Sequence, residues 1–67
     1  MDNHPKVKII IGKSYFFVNL ESDRFTVNLR DLRLWEGCTH EEMLRQARQF
    51  ADLVSKCLSC PVVEVID

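Results

Sequence analysis

With 67 residues the chain has room for one domain, and a domain of this size buries only about 60% of the surface its unfolded chain exposes, so its stability margin is thin. Hydrophobic residues make up 46% of the sequence, enough for a core, and nine Lys and Arg against ten Asp and Glu leave a formal charge of −1, which disfavours a generic basic nucleic-acid binder. The start Met1-Asp2-Asn3-His4-Pro5 lacks the basic-then-apolar pattern of a signal peptide, and runs such as Tyr15-Phe16-Phe17-Val18 are too short to span a bilayer. Three cysteines, an odd number without a secretory signal, fit reduced thiols in a cytoplasmic protein. The expected organisation is a single domain over 1–67, with 1–5 as a flexible N-terminus.

In chain order, Val7-Lys8-Ile9-Ile10-Ile11 is β-branched and reads as a strand, broken by Gly12-Lys13-Ser14 before a second strand at Tyr15-Phe16-Phe17-Val18-Asn19-Leu20. Glu21-Ser22-Asp23 supplies the next turn. The stretch from Arg24 to Arg30 then alternates strictly, which places Phe25, Val27 and Leu29 on one face and Arg24, Thr26, Asn28 and Arg30 on the other. Asp31 to Glu36 reads as a loop in which Trp35 is either a core filler or an interface anchor.

After Gly37-Cys38, Thr39 is a suitable N-cap and Glu42 stands three residues on, the spacing of a capping box, with Glu41 adding negative charge at the positive helix end. Met43, Leu44, Ala47, Phe50, Ala51, Val54, Cys57 and Leu58 follow at three- and four-residue spacing, an apolar stripe with Phe50 near its middle. Leu53 sits off the stripe, on the polar side. Pro61 ends the helix, and Val62 to Ile66 resume as a strand. The expected fold is therefore α+β: a small βββαβ domain, a mixed four-stranded sheet with one amphipathic helix on one face. If the first three strands form a meander, the last runs parallel to the first and third and can join either edge.

Candidate chemistry is sparse. Cys57-Leu58-Ser59-Cys60 is a C-x-x-C pair, but redox work needs a thiolate stabilised at a helix N-terminus, and this pair closes a helix. A zinc site would need Cys38, His40 or His4 as further ligands; Cys38 and His40 flank the helix start, about 18 residues and about 27 Å from the pair. Gly12-Lys13-Ser14 matches the tail of a P-loop without its upstream glycine and precedes a strand, so it is a turn. No nucleophile, base and orienter share a spacing. The expectation is a protein without enzymatic activity, cofactor or metal.

Asp31-Leu32, followed by Gly37-x-Thr39-x-Glu41-Glu42 and an alanine-containing amphipathic helix, resembles the HicB-type antitoxin domain, a βββαβ module with a partial RNase H fold. The resemblance covers roughly positions 7 to 66 in topology and about a dozen residues in motif. Arg30 and Arg33 stand where that family commonly has prolines, and Met43 where it has alanine. The resemblance implies the same fold and, as an alternative function, an antitoxin; the charge pattern, with Arg24, Arg30 and Arg33 around the third strand and its exit, offers a nucleic-acid-associated regulator that uses them as phosphate contacts. The leading expectation is a non-catalytic protein–protein interaction or regulatory module. It is expected to form a homodimer and to meet an unidentified protein through Trp35, Leu53, Tyr15 and Phe17, without membrane association.

Overall fold

The computed structural model describes residues 4–67. The element order is βββαβ: β1 (Lys6–Ile11), β2 (Tyr15–Glu21), β3 (Thr26–Arg33), α1 (His40–Leu58) and β4 (Val62–Ile66). The strands form one mixed sheet in the order β3-β2-β1-β4, with antiparallel β3/β2 and β2/β1 and parallel β1/β4. The helix is the crossover that returns the chain, and β4 joins β1 rather than β3. Part of the expected flexible N-terminus, 1–3, lies outside the described residues.

Two-residue alternation gives the sheet two unlike faces. Val7 and Ile9 of β1 and Phe16 and Val18 of β2 are fully buried against the helix, and Ile11 and Leu20 pack around them. From the helix come Met43, Ala47 and Ala51, one residue every four, so the bulk of the core belongs to the strands and small helix residues allow close approach. Phe50 is therefore not the centre of the stripe. It is half-buried at the flank of α1, with the Arg30 guanidinium 5.3 Å from its ring centroid.

The third strand departs from the sequence expectation in extent and in register. It runs on through Arg33, so half of the expected loop is strand, and Leu32 opposite Phe16 enters the core. Val18 pairs with Arg30 while Asn19 pairs with Asn28, which leaves Leu29 as the extra residue of a β-bulge. The bulge resets the alternation: Arg30 shares the helix-side face with Leu32, while Asp31 and Arg33 fall on the other. The strict alternation from Arg24 to Arg30 thus fails at Leu29. Phe25 and Val27 stay 42% and 45% exposed, beyond the cover of the His40–Leu58 helix.

The helix begins where the cap places it. Thr39 is extended (φ −95°, ψ 155°), and its hydroxyl accepts from the Glu42 N–H at 3.1 Å, while the Glu42 carboxylate turns to Arg45 at 3.0 Å instead of closing the capping box. At the other end Ser59 adopts the left-handed conformation (φ 54°) and donates its N–H to the Ser55 carbonyl, and the Cys60 N–H donates to the same oxygen at 3.1 Å. The Ser55 hydroxyl in turn donates to the Cys60 carbonyl. This turn inserts Cys60 into the core, whereas Cys57 and Leu58, expected on the buried stripe, are exposed.

Candidate interaction surface

Among the described residues no other element covers the face of the sheet opposite the helix. Its composition follows from register: Lys6, Lys8 and Ile10 from β1; Tyr15, Phe17, Asn19 and Glu21 from β2; Thr26, Asn28, Asp31 and Arg33 from β3; Val63 and Val65 from β4. One half is polar and internally satisfied. The Lys8 ammonium donates to the Glu21 carboxylate at 3.4 Å with Lys6 at 3.7 Å, and the Asn28 amide donates to the Asn19 carbonyl oxygen at 2.9 Å.

The other half is apolar. Tyr15 and Phe17 lie ring against ring, 4.9 Å between centroids and tilted by 30°. Phe17 stands opposite Ile10, and Ile10 beside Val65, so an apolar band crosses from β2 to the β4 edge. The Tyr15 ring covers Gly12, whose N–H donates to the Tyr15 carbonyl at 2.9 Å and closes the Lys13-Ser14 turn. A side chain at position 12 would occupy the space of that ring, which gives the glycine a packing role.

The four residues expected at an interface do not form one surface. Tyr15 and Phe17 meet on the outer sheet face, but Leu53, 63% exposed, lies on the helix beside Arg30 and Phe50. Trp35, 66% exposed, is in the loop after β3, beside Gly37 at φ +91°, so it is not a core residue. The three arginines are also divided. Arg24 is in the β2–β3 turn, where its N–H donates to the Ser22 hydroxyl, Arg30 is on the helix side against Phe50, and Arg33 is on the outer face.

His40, weighed in the sequence only as a metal ligand, has a structural partner. Its Nε2 is 2.9 Å from the Gly12 carbonyl, and its ring packs on Phe16 with centroids 4.7 Å apart, tying the first turn of α1 to the β1–β2 turn. Nothing in the sequence signals a contact between positions 28 apart. Val63 and Val65 also escaped the sequence reading, because their place beside Lys8 and Ile10 depends on which edge β4 joins. On the helix side Arg48 clamps Glu64 of β4 with two hydrogen bonds, 2.7 and 2.9 Å, and this donation holds the Glu64 carboxyl below its ordinary pKa.

Among the described residues no three or more His, Cys, Asp or Glu side chains converge as a metal site, and no helix is long and apolar enough to cross a membrane. Comparisons of the chain with protein-family models, with curated proteins and with solved structures find no match. The βββαβ order and mixed sheet implied by the HicB resemblance are present; no family match supports that family in particular.

Proposed function

We propose that the protein is a non-catalytic interaction module that acts as a homodimer through the outer face of its sheet. The observation that carries this is the half-buried Tyr15–Phe17 pair, continued by Ile10 and Val65 in one apolar band on the sheet face opposite α1, which no other element among the described residues covers. Burial of such a band is a principal driving force for association, and a small domain with a thin core gains stability from it. Its polar half, where Lys6, Lys8 and Glu21 are already paired, keeps the rest of the face hydrated. Sedimentation equilibrium at micromolar concentration tests the proposal. The wild type is expected to be dimeric at low and high salt and Phe17→Glu to be monomeric and folded; a wild type monomeric throughout that range refutes it.

The second function, suggested by the βββαβ order, is that of a HicB-like or nucleic-acid-associated regulator. The division of Arg24, Arg30 and Arg33 among a turn and two sheet faces supports it less. Steeply salt-dependent binding to nucleic acid, lost on Arg24→Ala or Arg33→Ala, would favour it over the first.

A further inference from the structure

The outer face carries unspent charge beside its apolar band, and the strand registers fix where. Arg33 stands opposite Tyr15 and Asp31 opposite Phe17, so two adjacent cross-strand rows run Arg33, Tyr15 and Asp31, Phe17, Ile10, Val65. The remaining charges on the body of this face, Lys6, Lys8 and Glu21, are engaged with one another. Among the described residues Arg33 and Asp31 make no side-chain hydrogen bond or ion pair.

Resting on the self-association proposed above, we infer that the occupant of this face is a second copy of the chain, packed face to face about a two-fold axis that crosses the strands between these two rows. That rotation lays the Arg33–Tyr15 row of one copy over the Asp31–Phe17 row of the other, and the reverse. Each guanidinium then meets an opposite carboxylate and each tyrosine an opposite phenylalanine, the self-complementarity that a two-fold interface requires. Face-packed sheets lie roughly 10 Å apart, a gap that a long arginine and a short aspartate bridge at the rim while the rings interdigitate at the centre. A two-fold axis along the strands between β1 and β2 would instead lay β3 over β4 and set Asp31 against Val65, desolvating a carboxylate without a partner.

The test uses charge exchange at two exposed positions, with circular dichroism to verify the fold and sedimentation equilibrium to read association. Asp31→Arg alone places arginines opposite arginines, and Arg33→Asp alone places aspartates opposite aspartates, so each variant is expected to self-associate about tenfold or more weakly than the wild type. An equimolar mixture of the two restores association as a heterodimer. The double variant Asp31→Arg/Arg33→Asp restores the homodimer, because the same rotation again pairs unlike charges. Undiminished dimerisation of both single variants overturns this packing and leaves self-association standing, as does recovery in the mixture without recovery in the double variant. A monomeric wild type overturns both.

Discussion

Replacing Gly12 by alanine should destabilise the domain, against the usual effect of that substitution. No positive φ at Gly12 demands glycine, so shedding the flexibility of the unfolded chain would by itself stabilise by about 0.4–1 kcal/mol. The added Cβ, however, would fall on Cζ, Cε1 and Cε2 of Tyr15, well inside the roughly 3.5–4.0 Å at which carbon atoms rest in contact. The ring cannot yield freely, because it is stacked on Phe17. Overpacking of this kind costs about 1–3 kcal/mol, which outweighs the entropic gain over most of that range and leaves a net loss of up to about 2.6 kcal/mol. In a Tyr15→Ala background the obstruction is gone, and Gly12→Ala should then stabilise by its entropic share alone. Urea denaturation of the four proteins of this cycle, at a fixed concentration below the association range, gives the coupling directly. Equal effects of Gly12→Ala in both backgrounds would refute the claim that the tyrosine ring is what excludes a side chain from position 12.

Thr39→Ala should cost about 1 kcal/mol in the same assay, since the Glu42 N–H loses its acceptor; an unchanged midpoint would place the helix start elsewhere. Phe16→Ala, in the fully buried centre, should cost about 3–5 kcal/mol, whereas Phe50→Ala at the flank should cost clearly less, and melting temperatures in the reverse order would invert the helix orientation. The Glu64 carboxyl titrates below its ordinary 4.5 because Arg48 donates to its charged form. Its contribution to stability is therefore complete above that pH and lost as pH falls through the lower folded value. As a solvent-screened surface pair its share is small, and Glu64→Gln should remove this part of the acid dependence in stability–pH curves.

Signals within a few residues were legible in the sequence; contacts that depend on non-local register were not. Thr39 and Pro61 bound the helix through backbone chemistry local to each, and both limits hold to within a few residues. Short β-branched and aromatic runs located β1, β2 and β4 for the same reason. The bulge at Leu29 is different, because it exists only in the pairing of β3 with β2, and the intrinsic alternation from Arg24 to Arg30 conceals it. That one residue decided which arginines share a face and hid the continuation of the strand through Asp31 to Arg33. On the helix, the stripe gave the buried side but not its depth: Ala47 and Ala51 lie innermost because they are small, and Phe50 is displaced to the flank. Tyr15 and Phe17 were recoverable as a pair from alternation, while the separation of Trp35 and Leu53 from them needed the tertiary arrangement.

The pairing of β4 with β1 also bears on how the domain is made. The ribosome delivers β1 first among the described strands, yet the neighbour on its open side is the last described strand to emerge, so Val7–Ile11 pairs with Val62–Ile66 across nearly the whole chain. Until then the β1–β2–β3 meander presents Val7, Ile9 and Ile11 along an uncovered strand edge, the kind of template on which nascent chains join one another. Cells making this protein at high rate, or from messages cut short before Pro61, should therefore accumulate it in insoluble form, and chaperone demand should fall off once Val62–Ile66 has cleared the exit tunnel.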